Sequence, residues 1–495
     1  MQKYVLGIDL GTSAVKVSAV DHVGRLAAQA IRHYPLIQPK PGYNEQNPDD
    51  WVKGTEAAIH YLMKNSQLQP ESIQGLSYSG QMHGLVLLDR NYQPLRSAIL
   101  WNDTRTTQQC HEIMDKMGQS FIKITHNQPL AGFTLPKIMW VQENQPKLWQ
   151  RVAYICQPKD YVRLKMTDQL NVDYSDATGT IMLNMRTQQW DPKILKTFHI
   201  SRSMCPPLVD STSYVGNVSE ACAKLTGLST KAKVFAGAAD NAAGAVGSGI
   251  IKPGMMSTSL GTSGVVLKYE PDKNVNYQGQ LQCEDGAIPK TYYSMGVTLS
   301  AGESLRWFRN TFLKHEPMKD LDKLAMKAPV GSNRLLFTPY LVGERAPYAD
   351  TRIRGSFIGV DATDNVGDFV RAVMEGVGFS FRDLANIYRK RGTHVKSVVA
   401  IGGGSRSPLW PQIEADMLNT NVYKLINEQG PGIGAAMIAA VGLGWFPDFQ
   451  KCAKKFVHFG EVYRPRYNNV KIYNHLYPVY HQIYKQTALL NHQLF

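Results

Sequence analysis

One short phrase occurs twice in the chain, as Asp9-Leu10-Gly11-Thr12-Ser13 and as Leu260-Gly261-Thr262-Ser263-Gly264. The two phrases are 250 residues apart (261 minus 11) in a chain of 495 residues, so the sequence looks like one module used twice. Each phrase stands between two apolar segments, a pattern typical of a β-hairpin. The flanking segments are residues 4–10, 14–20, 255–260 and 264–268. The sequence therefore predicts two hairpins that open two similar halves.

A turn of glycine, threonine and serine is suited to a nucleotide phosphate, because it offers backbone N–H groups and hydroxyls with little side-chain bulk. A single copy would be no more than a favourable turn. Two copies favour phosphate binding, and we expect the two hairpins to hold one polyphosphate from both sides. The Walker pattern for ATP is excluded, since no glycine in the chain is followed by lysine.

The composition is that of a folded protein, with 43% hydrophobic and 19% charged residues. The longest uncharged apolar run, residues 433–446, is shorter than the roughly 20 residues of a membrane-spanning helix. The amino terminus has no separate apolar region typical of a signal peptide. Six scattered cysteines without Cys-x-x-Cys spacing favour reduced thiols and argue against a zinc site. We therefore expect a cytoplasmic protein.

The formal net charge of +14 raises the question of a nucleic-acid partner. The positive charge is concentrated from Lys451 onward, where seven lysines and arginines accompany one acid, Glu461. Tyrosines recur in this tail at helical spacing, at positions 473, 477, 480 and 484. This spacing favours a packed amphipathic helix over a nucleic-acid surface. We expect neither a nucleic acid nor a membrane as partner, and the sequence leaves a homodimer open.

Apolar strand candidates alternate with helical segments, which predicts parallel or mixed sheets. The candidates are residues 73–77, 84–88, 154–157, 232–236, 292–297, 335–338, 397–401 and 422–425. A run of small residues at 236–250 joins the halves, and we place the domain boundary near Ser248. The predicted domains are residues 1–248 and 249–495, with the final helix a candidate to pack back on the first domain.

Asp240 and Asn241 lie inside this run of small residues, with no lysine or arginine between Lys233 and Lys252. A carboxylate in such surroundings is costly to bury unless a partner or a function keeps it there. A helix N-cap is the structural alternative. However, the position follows a predicted strand, and active sites of α/β proteins gather at the carboxyl ends of strands. We therefore predict a catalytic role for Asp240.

Two further glycine clusters lie in the second half. Gly402-Gly403-Gly404 follows the strand candidate that ends at Ile401, which favours close approach of the backbone to a flat ligand, although three glycines also form ordinary turns. Gly430-Pro431-Gly432-Ile433-Gly434 opens an apolar helix, where it could serve a ligand or helix packing equally well.

These motifs together resemble the FGGY family of carbohydrate kinases, which is related to actin and hexokinase. Residues 132–144 and 355–375 resemble the two signatures of the family, residues 237–247 its catalytic segment and residues 402–416 its adenosine site. The resemblance covers nearly the whole chain. It implies an α/β fold of two actin-like, ribonuclease H-like ATPase domains with mixed sheets and a ligand cleft between them.

Within the family, Gln81-Met82-His83-Gly84 resembles the branch that phosphorylates D-xylulose, whereas glycerol kinases carry an Arg-Glu pair here. Residues 100–105 and 158–161 resemble the same branch. The resemblance implies phosphorylation of D-xylulose to D-xylulose 5-phosphate with ATP and Mg²⁺. Another sugar kinase, such as a gluconokinase or ribulokinase, stays open, because specificity can turn on one or two side chains. A non-catalytic ATP-binding switch is the third alternative, which the presence of both Asp9 and Asp240 disfavours.

The resemblance also implies roles for single residues. Asp240 would be the catalytic base, with an ordinary pKa of about 4, and Asp9 would hold Mg²⁺. The implied sugar-binding residues are Met82, His83, Asp103 and Asn241. The implied ATP-binding residues are Thr12, Ser13, Gly261, Thr262, Gly403, Gly404 and Ser407.

Overall fold

A computed structural model describes residues 2–426, 428 and 430–494 of the chain. The chain forms two compact units, each built from three stretches of sequence. The first unit comprises Met1–Ile251, Glu270–Tyr293 and Gln429–Val457, and the second comprises Lys252–Tyr269, Ser294–Glu428 and His458–Phe495. The division of the sequence into domains 1–248 and 249–495, with a boundary near Ser248, stays a prediction.

The strands of the described residues are β1 (Tyr4–Leu10), β2 (Ala14–Asp21), β3 (Leu26–His33), β4 (Glu45–Gln46), β5 (Ile73–Gly80), β6 (Val86–Leu88), β7 (Ala98–Ile99), β8 (Tyr154–Cys156), β9 (Val172–Asp173), β10 (Leu183–Asn184), β11 (Gln189–Trp190), β12 (Leu208–Val209), β13 (Tyr214–Asn217), β14 (Lys233–Phe235), β15 (Ala238–Ala239), β16 (Met255–Leu260), β17 (Gly264–Glu270), β18 (Gln282–Asp285), β19 (Tyr292–Thr298), β20 (Leu336–Thr338), β21 (Ser356–Ile358), β22 (Ser397–Ile401), β23 (Val422–Leu425) and β24 (Phe459–Tyr463).

The α-helices of the same residues are α1 (Pro48–Asn65), α2 (Thr107–Met117), α3 (Gln119–Thr125), α4 (Thr134–Asn144), α5 (Pro146–Trp149), α6 (Pro158–Thr167), α7 (Tyr174–Gly179), α8 (Pro192–Thr197), α9 (Glu220–Thr226), α10 (Asp240–Gly247), α11 (Gly302–Phe312), α12 (Met318–Lys327), α13 (Val366–Lys390), α14 (Trp410–Leu418), α15 (Pro431–Gly442), α16 (Phe449–Phe456) and α17 (Tyr467–Leu494).

The first unit is built on a mixed sheet with the order β13-β14-β5-β1-β2-β3, and β15 also pairs with β5. β1 is antiparallel to β2 and parallel to β5, so the predicted first hairpin and the predicted mixed sheet are both confirmed. Trp51 of α1 is buried in one core with alternate apolar residues of the two strands, which are Leu6, Ile8 and Leu10 of β1 and Val15, Val17 and Ala19 of β2. α15 packs closely on β1, because a Cβ atom on Gly7 would lie only 2.0 Å from the carbonyl oxygen of Gly432.

The second unit contains strands in the order β17-β16-β22-β23-β24. β16 is antiparallel to β17 and parallel to β22, which confirms the second hairpin and another mixed sheet. The long helix α13 is almost entirely buried and begins with a capping box. In that box, the Asn365 side chain accepts from Gly367 N–H and the Asp368 side chain accepts from Asn365 N–H, both at 2.9 Å.

The basic tail forms the predicted helix, α17, which packs against α13 and α14 of the second unit. Tyr473 and Tyr480 are fully buried there, so the tyrosine spacing marks a packed helix face. Both of these partner helices belong to the same unit as α17, and packing of the final helix on the first domain stays a prediction. Among the described residues, no helix combines the length and apolar character that crossing a bilayer requires.

Candidate active site

The first hairpin presents its turn at one edge of the sheet of the first unit. Tyr34 donates its hydroxyl to the Gly11 carbonyl, and the Trp101 indole N–H donates to the Thr12 hydroxyl (2.9 Å). Gly11 and Thr12 are partly exposed and Ser13 is exposed. The turn is thus braced by protein contacts while its polar groups stay accessible, as a phosphate site requires.

Asp9 lies near the end of β1, opposite Ser79 of β5. The Ser79 hydroxyl donates to Asp9 Oδ1 (3.1 Å), and the Lys16 ammonium lies 3.8 Å from Oδ2. Burial raises the pKa of Asp9 above its ordinary value, so a nearby cation would favour its ionised form. A carboxylate in this position fits a hard divalent cation, for which oxygen ligands are preferred.

Asp240 stands at the same sheet edge as Asp9. It follows β15, which pairs with β5 at Ser79, and Asp9 pairs with that serine from the other side. Asp240 is the first residue of α10, and its Oδ1 accepts from the Asn241 N–H at 2.7 Å. The N-cap position belongs to Ala239, so Asp240 does not serve as the helix N-cap.

The electrostatic setting of Asp240 differs from the sequence expectation. Burial and, second to it, the charge of Asp9 raise the pKa of Asp240 to about 7. The expected ordinary value of about 4 is therefore wrong, because a linear sequence reveals neither the burial nor the neighbouring carboxylate. A carboxyl group with a pKa near neutrality is suited to accept and release a proton at physiological pH.

Met82 brings together several residues around the catalytic candidate. The side-chain amide of Asn241 lies 3.3 Å from the Met82 sulfur, and Asn241 directly follows Asp240. The Tyr293 hydroxyl lies 3.7 Å from the same sulfur and donates to Glu284 (2.9 Å). Burial raises the pKa of Glu284 to about 8, which favours the neutral form of this side chain. Sequence reasoning missed Tyr293 and Glu284, which follow the second hairpin in the chain yet belong to the first unit.

His83 is held in a left-handed backbone conformation, with φ of 65°, which is uncommon for a residue with a side chain. Its carbonyl accepts hydrogen bonds from the Lys137 ammonium (2.9 Å) and the Thr134 hydroxyl (3.1 Å). Its ring meets Phe133 edge-on at 4.5 Å, and Nδ1 donates to the Gly179 carbonyl at 2.9 Å. Because a carbonyl oxygen can only accept, Nδ1 carries a proton in this contact, which fixes the orientation of the ring.

Asp103 is buried and has extensive protein contacts. The Nε and Nη2 atoms of Arg105 donate to its two carboxylate oxygens at 2.8 and 2.6 Å. The Asn44 N–H donates to it as well, at 2.7 Å. These contacts make Asp103 a brace for the loop that follows β7. A direct contact of Asp103 with a sugar stays a prediction.

In the second unit, the turn of the second hairpin lies against the start of α11. The Gly261 carbonyl accepts from the Gly302 N–H (2.8 Å), and the Thr262 carbonyl accepts from the Ala301 N–H (2.9 Å). Thr262 itself is exposed. The backbone of the turn is therefore fixed while its hydroxyl stays accessible, as in the first hairpin.

The glycine cluster after β22 approaches the end of β16 in the same unit. A Cβ atom on Gly404 would lie 2.6 Å from the Leu260 side chain, and one on Gly402 would lie 3.0 Å from the Leu260 backbone. Gly403 is exposed. The Ser407 hydroxyl donates to Asp322 (2.6 Å) and accepts from backbone N–H groups at the start of α14. Contact of Ser407 with adenosine stays a prediction.

Comparison with known proteins agrees with this arrangement. Residues 4–247 match the N-terminal domain of the FGGY family of carbohydrate kinases, and residues 256–443 match the C-terminal domain of that family. The chain belongs to the FGGY family. The family and two-domain fold implied by the sequence resemblance are thereby confirmed, and the chain is a carbohydrate kinase. Sugar kinases of this family use ATP with a divalent metal.

Individual relatives indicate which members of the family this chain is most similar to. A xylulose kinase of Bacillus subtilis (strain 168) is 48% identical over 489 residues, covering 99% of this chain and 98% of the relative. A xylulose kinase of Lactococcus lactis subsp. lactis is 45% identical, with 99% and 98% covered. Among solved structures, a xyloylose kinase from Brucella ovis is 33% identical with a TM-score of 0.91, covering 98% of this chain and 100% of that one.

Proposed function

We propose that this chain transfers the γ-phosphoryl group of ATP to D-xylulose and so produces D-xylulose 5-phosphate. The observation that carries the proposal is the setting of Asp240, whose carboxyl group has a pKa of about 7 and whose neighbour Asn241 contacts Met82. Whole-length relatives that are 44–48% identical are xylulose kinases, which supports the same substrate.

Asp240 acts as the general base. The acceptor hydroxyl gives its proton to the Asp240 carboxylate while its oxygen bonds to the γ-phosphorus and the bond from phosphorus to the ADP oxygen breaks. Phosphoryl transfer depends mostly on positioning, so the base needs only hydrogen-bond reach to that hydroxyl. The sugar is held by Met82, His83, Asp103 and Asn241.

ATP binds the two hairpin turns through its phosphates and the glycine cluster through adenosine. The phosphate-binding residues are Thr12, Ser13, Gly261 and Thr262, and the adenosine-binding residues are Gly403, Gly404 and Ser407. Asp9 holds Mg²⁺, which neutralises charge on the phosphates when it is bound. Within this scheme residues 1–248 form the sugar-binding domain and residues 249–495 the adenosine-binding domain.

A gluconate kinase is the second candidate, because one from Lactobacillus acidophilus has a TM-score of 0.95 and 26% identity to this chain. A xylulose kinase from the same organism has the same values, so the fold alone does not separate the two sugars. A sugar acid needs a cation at its carboxylate. Besides the imidazole of His83, which follows Met82 in the chain, the titratable groups near Met82 and Asn241 are the Tyr293 hydroxyl and the carboxyls of Asp240 and Glu284. None of these contacts brings a lysine or arginine to Met82 or Asn241, which favours an uncharged ketose over a sugar acid.

A coupled assay of ADP release tests the proposal across ketoses, polyols and sugar acids. We expect D-xylulose to have the highest kcat/KM of the panel. A preference for gluconate or ribulose would overturn the assignment and favour the second candidate or a ribulokinase. Asp240→Asn serves as the control for background ATP hydrolysis, because it keeps the side-chain shape but cannot act as the base.

A further inference from the structure

A fully buried ammonium group lies among three buried carboxylates in the first unit. The Lys159 Nζ is 2.8 Å from Asp160 and 2.7 Å from Asp176, and it also pairs with Asp173. The three carboxylates have spacing that would suit a metal ion, but the Lys159 ammonium already pairs with all three of them. Buried charges are costly to assemble, and one expects such a cluster to be retained for a structural or functional reason.

One connection runs from this cluster to the residue before Asp240. The carboxylate of Asp173 bridges two groups: Oδ1 pairs with Lys159, while Oδ2 accepts from both the N–H and the hydroxyl of Ser175. The Ser175 hydroxyl oxygen accepts in turn from the Ala239 N–H at 2.9 Å. A single chain of contacts therefore links Lys159 to the backbone at Ala239.

A second connection reaches the same backbone segment three residues earlier. Asp160 pairs with Arg163 at 3.0 Å, and Arg163 donates to the Ala236 carbonyl. Between the two anchored positions lies Gly237, whose φ of 84° is left-handed. A Cβ atom on Gly237 would lie 2.4 Å from the Tyr78 carbonyl oxygen, so only glycine fits. Residues 236–239 are thus fixed at both ends.

The start of α10 depends on these outside contacts. Ala239 occupies the N-cap position, and its methyl side chain cannot accept a hydrogen bond from the first turn. The Asp240 side chain leaves the backbone one residue after the anchored N–H, so a shift at Ala239 moves the carboxylate directly. A displacement of about 1 Å of a reacting group can lower turnover by about 10²-fold.

We propose that Lys159, Asp173 and Ser175 are positioning residues for phosphoryl transfer, fixing the Ala239 backbone and thereby aiming the Asp240 carboxylate at the acceptor hydroxyl. The proposal rests on the role of Asp240 as the base. The proposal assigns a role to Lys159 of the Pro158-Lys159-Asp160-Tyr161 motif, which the proposed reaction does not otherwise use.

Ser175→Ala tests the connection without removing a charge. We expect kcat to fall by roughly 10- to 100-fold, with KM for D-xylulose and ATP changed less than about threefold. Asp173→Asn is the second variant, because asparagine is an equally good N-cap for α7 but loses the ion pair with Lys159. It should show the same split between kcat and KM, and it carries the test if Ser175→Ala does not fold.

Ser72→Ala is the matched control, since it removes another buried serine hydroxyl of the first unit, which donates to the Gln69 carbonyl at 2.6 Å. It should lower thermal stability without changing kcat. A kcat loss in Ser72→Ala equal to that in Ser175→Ala, or folded Ser175→Ala and Asp173→Asn proteins with wild-type kcat, would overturn the proposal.

A double-mutant cycle separates the proposal from the role of Asp240 itself. If Ser175 acts through Asp240, then adding Ser175→Ala to Asp240→Asn changes the residual turnover less than twofold. A full additional 10-fold loss in that background means that Ser175 acts by another route, and overturns the positioning role alone. Wild-type turnover in Asp240→Asn would instead overturn the proposed base.

Discussion

Replacing Asp240 with asparagine should stabilise the protein while it abolishes most of the activity. The folded protein holds this carboxyl at a pKa of about 7, against an ordinary value of 3.8, chiefly because of burial. Ionising Asp240 therefore costs more in the folded chain than in the unfolded chain. Asparagine has nearly the same shape, still accepts from the Asn241 N–H and carries no charge to desolvate.

The sign and size of the effect follow from proton linkage. Because the pKa is raised on folding, the folded state binds more protons between about pH 4 and 7, so stability declines as pH rises through this range. A rise of roughly 3 pKa units corresponds to at most about 4 kcal/mol above pH 7. Since the Asp240 side chain is partly exposed, solvent screening reduces the expected gain in Asp240→Asn to about 1–3 kcal/mol. At pH 5 the gain should fall to less than half.

Thermal unfolding of the protein without substrates at pH 8 and pH 5 measures this difference. We expect the Tm of Asp240→Asn to exceed that of the wild type by about 2–6 °C at pH 8, and by less at pH 5. Turnover should fall by about 10² to 10⁴-fold. Asp103→Asn is the control, because it weakens a buried ion pair with Arg105 and should lower Tm at both pH values. An Asp240→Asn protein with an unchanged or lower Tm at pH 8 would refute the argument.

Three further predictions follow from the site. The kcat/KM for D-xylulose should fall about tenfold per pH unit below about pH 7, since protonated Asp240 cannot accept the hydroxyl proton. Added Mg²⁺ should move this acidic limb to lower pH by offsetting the charge of Asp9. A pH profile of kcat/KM that is flat from pH 5 to 8 would contradict this prediction. His83→Ala should lower kcat/KM for D-xylulose by roughly 10- to 100-fold in steady-state assays with KM for ATP unchanged, and unaltered D-xylulose kinetics would count against sugar binding by His83. Gly434→Ala should unfold at a markedly lower temperature than the wild type, because its Cβ would lie 1.8 Å from the Ala243 carbonyl oxygen. Gly244→Ala on the facing helix is the control. Its Cβ would have its nearest contact at 3.6 Å, so this variant should have the Tm of the wild type.

The parts of the fold that the sequence predicted are those with local signals. Two apolar segments around a Gly-Thr-Ser turn predicted each hairpin, and β22 and β23 have the bounds that were expected from their apolar runs. The position of Asp240 directly after a strand was likewise readable, because the apolar run ends immediately before the small-residue segment. These features depend on neighbours within a few residues, which a sequence displays directly.

The set of chain segments that form the first unit could not be predicted from local sequence signals. Glu270–Tyr293 and Gln429–Val457 belong to this unit, although they lie beyond the second hairpin in the chain. These two segments pack against the first unit through tertiary contacts, and a single sequence contains no local signal for such contacts. For this reason Glu284 and Tyr293 were missed as neighbours of Met82.

The second glycine cluster shows how such a distant segment completes the site. Its helix, α15, packs backbone to backbone against α10, because Gly434 leaves no room for a side chain above Ala243. At its start, a Cβ atom on Gly432 would lie 3.5 Å from the Cβ atom of Asp9. The cluster therefore serves helix packing, which is one of the two roles left open by the sequence. Because of this packing, α10, which carries Asp240, and β1, which carries Asp9, both lie against α15. Small residues here allow α15 to lie close both to the helix that begins with the proposed base and to the strand that carries the proposed metal ligand.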